Sequence, residues 1–171
     1  QFSKIDLSDG LSHNQVNAIM KDAKGFMWFG TFSGLNRYDG YGIKVFKHDP
    51  RDSTSISNDF ITDIFELPNQ HLYIETRSGP NVYNGLNETF ARNPKSYFKG
   101  LNIAAKTIRD ILKDNEGNFW FNAVDEGVFK YEVATAKTIH FRCDGKAGAA
   151  SLAKAPVSAI QKGPKGDIWV I

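Results

Sequence analysis

One spacing of residues recurs four times along the chain, and that recurrence constrains the fold more than any other feature. Counted from Ile19, an aspartate follows three positions on (Asp22), a glycine six on (Gly25) and a tryptophan nine on (Trp28). The same steps from Ile111 reach Asp114, Gly117 and Trp120 without a gap, and from Ile160 they reach Gly163, Gly166 and Trp169. From Ile64 they reach Leu67, Gln70 and Tyr73, a degenerate copy that keeps the apolar skeleton. The four isoleucines are separated by 45, 47 and 49 residues. A period of this length marks one supersecondary unit repeated in space, each copy burying a face against its neighbour.

Each copy reads as four short strands. The first is apolar, as at residues 16–20, 60–65, 108–112 and 157–160. A tight turn comes after it at Asp22-Ala23-Lys24-Gly25 and at Asp114-Asn115-Glu116-Gly117, where Asp bonds its own backbone and Gly supplies a positive φ. An aromatic strand comes next, at residues 26–29 and 119–121. A second turn at Ser33-Gly34, Ser78-Gly79 or Glu126-Gly127 leads into the third strand, and residues 43–46 or 138–141 make the fourth. No stretch holds a 3.6-residue apolar period long enough for a helix of ten residues. The expected class is therefore all-β.

Four-stranded antiparallel units at this period are the blades of a β-propeller, in which side-by-side stacking buries the aromatic faces. The expected layout is an orphan outer strand in residues 1–10, centred on Phe2 to Ile5, then blades at 11–50, 51–95 and 96–145. The first two strands of a fourth blade fall in 146–171, so the chain reads as a fragment of about three and a half blades. Ile19, Trp28, Ile64, Tyr73, Ile111, Trp120, Ile160 and Trp169 are the expected structural core. Uncovered blade faces and strand edges lead to an expectation of self-association as a dimer.

Composition narrows the functions. The 21 Lys+Arg and 19 Asp+Glu give a net charge of +2 with no basic stripe, which argues against direct nucleic-acid contact. No apolar run reaches the ~18 residues of a membrane-spanning helix. The single cysteine, Cys143, can form no internal disulfide. His13, His48, His71 and His140 fall at unrelated positions in the repeat, so no metal site is expected, and no cofactor motif is present. No nucleophile elbow, phosphate loop or paired-carboxylate signature marks an enzyme, and no catalytic residue is assigned.

The segments Leu11 to Ile19, Asp22 to Thr31 and Gly34 to Gly40 resemble the two-component regulator propeller repeat, and Asp114 to Phe121 resembles it again. The likeness is greatest to the sensor region of gut-bacterial hybrid two-component systems, in which histidine kinase and response regulator share one chain. The resemblance implies a periplasmic sensor that recognises an oligosaccharide. It also implies a parent anchored in the inner membrane, with the kinase outside this chain. The second unit departs from the repeat at Leu67, Gln70, Tyr73 and Glu75.

Ligand contacts are expected on the loops joining one blade to the next and on the turns between second and third strands, since loops on a rigid scaffold carry binding. Glu75, in the slot of Gly30 and Asn122, is followed by Arg77; this charged pair is either functional or drift in a degenerate blade. With Asp125 and Glu126 of the third unit, these are the candidate ligand-binding residues. The sequence leaves three readings open: a glycan sensor, a non-binding structural or dimerisation scaffold, and a propeller lyase or hydrolase.

Overall fold

The computed structural model describes residues 4–145, 151–152 and 156–171. The chain divides into two compact units, Gln1–Pro94 and Lys95–Ile171. In the first, β1 (Val16–Lys21), β2 (Met27–Thr31), β3 (Gly34–Tyr38) and β4 (Ile43–Phe46) form one antiparallel sheet in sequence order. A second sheet of the same order holds β5 (Ile61–Glu66), β6 (His71–Thr76), β7 (Gly79–Asn84) and β8 (Thr89–Ala91). In the second unit a helix, α1 (Lys95–Gly100), precedes the sheet of β9 (Ile108–Lys113), β10 (Phe119–Ala123), β11 (Gly127–Glu132) and β12 (Lys137–Phe141). A two-stranded sheet of β13 (Ile160–Lys162) and β14 (Ile168–Val170) comes last. The three larger sheets are four-stranded meander blades, and the class is all-β.

The turns explain the spacing. Asp22 Oδ1 accepts the backbone N–H groups of Lys24 at 2.9 Å and Phe26 at 3.0 Å, while Gly25 takes φ +89. Asp114 does the same for Glu116 and Asn118, with Gly117 at φ +86. Their second oxygens accept the indole N–H of Trp28 at 2.8 Å and of Trp120 at 2.9 Å. One carboxylate thus closes the turn and fixes the ring six residues on. The second blade lacks that aspartate and turns through a 3-10 segment, Pro68–Gln70, with Gln70 in the glycine slot at φ +62.

Register decides which way each repeated residue faces. Ala18 and Met20 pack with Trp28, Leu35 and Phe46 against Ile61, Ile64, Leu72, Ile74 and Tyr83 of the second sheet. The Trp28 ring lies 5.1 Å from that of Tyr83 and 5.9 Å from that of Phe46. Gly30 lets the sheets approach, since a β-carbon there would meet Ile61 Cγ2 at 2.6 Å. The tryptophan slot therefore faces the following sheet, and the isoleucine slot of that sheet, Ile64, faces back.

This polarity corrects two expected core positions. Ile19 is 63% exposed, because it alternates to the other side of β1, where no sheet precedes it among the described residues. Trp169 is 51% exposed, because no sheet follows β14 in this chain. Trp28, Ile64, Tyr73, Ile111 and Ile160 are buried, and Trp120 is partly buried against the cluster of Val128, Val157 and Ile160.

A second regularity is a bulge at one slot of each full first strand, between Val16 and Ala18, Ile61 and Asp63, and beside Ile108. In two of the three, the bulged side chain reaches the backbone of the next repeat. Asn17 donates to the Ile61 carbonyl at 2.8 Å, and Arg109 donates to those of Val157 and Ser158 at 3.4 and 3.3 Å.

The expected outer strand meets a limit and a correction. Phe2 and Ser3 lie outside the described residues, and Lys4 and Ile5 belong to no strand. Asp6 caps a 3-10 turn, Leu7–Asp9, accepting the Ser8 N–H at 2.8 Å. Short polar side chains that cap the backbone locally compete with strand pairing there.

Candidate functional site

Antiparallel blades place the sheet-to-sheet connections and the second-to-third-strand turns at one end, the loop end, and the other turns at the opposite end. In the first unit, the loop end is built on a polar network that occurs twice. Ser12 and Ser57 donate their N–H groups to Asn36 and Asn81 at 2.9 and 3.0 Å. Their hydroxyls meet those of Thr31 and Thr76 at 2.9 and 3.0 Å, and each threonine donates to the carbonyl of Gly34 or Gly79. All four Thr and Asn side chains are buried and fully engaged. The third sheet puts Ala123 and Phe129 in the matching register places, so the network is not repeated there.

On this support stands an aromatic step. Phe32, in the β2–β3 turn, stacks on His13 at 5.7 Å and lies 4.4 Å from Phe60 at the entry to β5. Phe32 remains 36% exposed. Arg77 sits in the corresponding turn of the second sheet, its N–H bonded to the Phe60 carbonyl at 3.1 Å and its side chain exposed. Sequence reasoning missed the aromatics. The signal was present, because Phe32 and Arg77 are 45 residues apart, one repeat period.

Glu75 has a different setting from its neighbour Arg77. It is half-buried on β6, paired across the strands with Asp63. Burial pushes its carboxyl up; a hydrogen bond from Tyr73 opposes this, and the Asp63 charge adds to it. Burial, then the Glu75 charge, pushes the Tyr73 hydroxyl up. In the second unit, Asp125 and Glu126 occupy the β10–β11 turn. Asp125 is exposed at φ +63. Glu126 accepts the Lys106 N–H at 3.3 Å, and its carbonyl bonds the His140 ring at 2.7 Å, so it also props the turn. Asp110 accepts Asn122 Nδ2 at 2.9 Å, while the buried Asn122 Oδ1 has no partner among the described residues. Burial pushes the Cys143 thiol up, which suits an inert thiol rather than a nucleophile.

At the turn end, a narrow cleft of about 20 Å³, room for about one water, opens between the first two sheets. Its walls include Phe26, Trp28 and Arg37 of the first sheet, and Leu72, Tyr83 and Gly85 of the second. A roomier cleft of about 310 Å³ occupies the matching junction of the second unit, lined by Trp120, Lys130 and the Lys165-Gly166-Asp167 turn. In both, a cation lies over the tryptophan: Arg37 at 5.7 Å from the Trp28 centroid and Lys130 at 5.4 Å from that of Trp120.

Fold and site define a run of propeller blades with a built loop end. Residues 10–33 match the family described as two component regulator propeller. The protein named histidine kinase P4 of Formosa agariphila is 45% identical over 56 residues, 33% of this chain and 4% of that protein. Two solved structures from B. thetaiotaomicron share the fold. The extracellular domain described as that of the hybrid two component system BT3049 is 24% identical with a TM-score of 0.60, covering 98% of this chain and 23% of that one. The extracellular domain described as that of the one component system BT4673 is 19% identical with a TM-score of 0.50, covering 97% of this chain and 30% of that one. The chain thus spans less than a third of the length of each of these relatives.

Proposed function

We propose that this chain is part of the periplasmic sensor region of a membrane-anchored two-component signalling protein, and that its loop end recognises an oligosaccharide without cleaving it. The observation that carries the reading is the exposed Phe32 ring, backed by the half-buried Phe60 and His13, beside the exposed Arg77. An exposed ring offers an apolar face to the C–H side of a sugar, and an adjacent guanidinium offers several donors to its hydroxyls. The buried Ser–Thr–Asn network beneath keeps that surface preorganised. Supporting the signalling context are the regulator-propeller match and the names of the relatives. Glu75, half-buried and paired across the strands with Asp63, is a secondary contact, and Asp125 and Glu126 stand on the loop end of the second unit.

Calorimetric titration with a panel of neutral and acidic oligosaccharides tests this reading. One saccharide is expected to bind and to be recovered intact. Phe32→Ala should weaken it about two- to thirteenfold, the effect of losing about 0.5–1.5 kcal/mol of ring contact, and Arg77→Ala should weaken it further. Binding by no saccharide, or release of cleavage products, contradicts the reading.

A further inference from the structure

The lysine and arginine side chains at the loop end of the first unit divide by what they bind. Arg51 lies 3.4 Å from Asp49, and Arg92 donates to the carbonyls of Asp52 and Ser55 at 2.8 and 3.0 Å. The acids of the same connection are occupied too. Asp49 accepts the Arg51 N–H at 2.9 Å, Asp52 that of Thr54 at 2.8 Å, and Asp59 that of His48 at 2.7 Å. Lys47 and Arg77 differ. The Lys47 ammonium donates only to the Ser33 hydroxyl, at 3.2 Å, in the turn that carries Phe32. Arg77 is anchored by its backbone N–H on the Phe60 carbonyl, and Phe60 is the ring against which Phe32 packs. Both side chains are exposed, and neither pairs with an acid among the described residues.

The two cations without an acid are thus the two tied to the aromatic step, one through Ser33 and one through Phe60. The nearby groups do not answer them. Glu75, two residues before Arg77, is half-buried and takes a hydrogen bond from Tyr73. His13 adds no positive charge, since its Nδ1 accepts the Gln15 N–H at 2.9 Å. We propose that the saccharide recognised at the loop end is acidic, carrying a carboxylate or a sulfate. This inference rests on the loop-end reading and names its ligand class. The sugar lies on the exposed part of the Phe32 ring. Arg77 takes the anionic group, because its planar fork offers parallel N–H donors to two oxygens of one such group. Lys47 supplies a second positive charge from the Ser33 side as a point charge.

The test separates the two anionic groups from each other and from their neutral forms. The 171-residue chain is titrated with trigalacturonate and its methyl ester, and with sulfated galactotriose and galactotriose, while amide shifts are followed by NMR. The expected result is saturable movement at Phe32, Ser33, Phe60 and Arg77 with at least one anion, the responding anion telling carboxylate from sulfate. That anion should bind about two- to thirtyfold tighter than its neutral counterpart, the range for two exposed ion pairs, and the preference should shrink in high salt. Arg77→Gln and Lys47→Gln, both exposed substitutions, should each lower the preference about 1.5- to fivefold. A neutral counterpart that binds as tightly and moves the same amides overturns the acidic class while leaving the loop-end reading standing. An unchanged preference in both variants also overturns it. So does absence of saturable movement with all four probes, whereas the loop-end reading itself falls only if the wider saccharide panel is silent as well.

Discussion

At the residue scale, two carboxylates show how the repeat uses charge in opposite senses. Asp114 is partly buried, which disfavours its charge, yet hydrogen bonds from the Trp120 indole, from Asn118 and from the Glu116 N–H outweigh burial and hold it below its ordinary value. A depressed acid stabilises the fold above its unfolded value, about 4, and that contribution is lost as pH falls through the folded value. Glu75 is raised by burial and by Asp63, so the sign reverses. Its contribution is favourable below about 4 and is lost as pH rises through the raised value. Thermal melts from pH 2 to 8 should show this split. Asp114→Asn should lose stability at neutral pH and flatten the acid limb, whereas Glu75→Gln should equal or exceed the parent at pH 7. Identical pH profiles for both variants and the parent would refute the assignment.

Strands, turns and the networks between them form the next scale. The Ser–Thr–Asn clusters tie the entry of the first strand to the turn between the second and third, across 24 residues of sequence. Asn36→Ala and Asn81→Ala each strand buried donors and acceptors, and each should cost about 1–3 kcal/mol in urea unfolding. Asn17→Ala removes only one bond, to Ile61 of the adjacent sheet, and should cost about 0.5–1.5 kcal/mol. Equal costs for all three would mean that the clusters are incidental. Much of this scale was legible in the chain. The Asp-x-x-Gly turns and the strands fall out of the period, because local backbone chemistry sets both. The clusters also repeat every 45 residues, but polar residues scattered through loops carry no apolar rhythm to betray them. The exposure of Ile19 could not be read locally at all, since the same slot is buried in Ile64 and Ile111 by neighbouring structure. For the site, Arg77 was visible as a charge in an apolar repeat. Phe32 and Phe60 were not, because an aromatic in this chain reads as core until a turn exposes it.

At the scale of the whole molecule, the sidedness of the blade is the organising fact: within each unit the tryptophan slot faces the following sheet, and the isoleucine slot of that sheet faces back. The faces around Ile19 and Trp169 are uncovered within this chain and carry large exposed apolar side chains. Such surfaces associate, so the weight-average mass in light scattering should rise with concentration. Ile19→Lys should bring it back towards the monomer; a mass independent of concentration counts against the dimer expectation. The most direct test of the blade polarity compares the three tryptophans, which share one repeat slot and differ in the cover each receives from a succeeding sheet. Labelling the chain with 5-fluorotryptophan and measuring the ¹⁹F shift between H₂O and D₂O, under dilute conditions, reads the solvent contact of each ring. The account predicts almost no isotope shift for Trp28, an intermediate one for Trp120 and the largest for Trp169. Equal shifts for the three rings, or a larger shift for Trp28 than for Trp169, would contradict it.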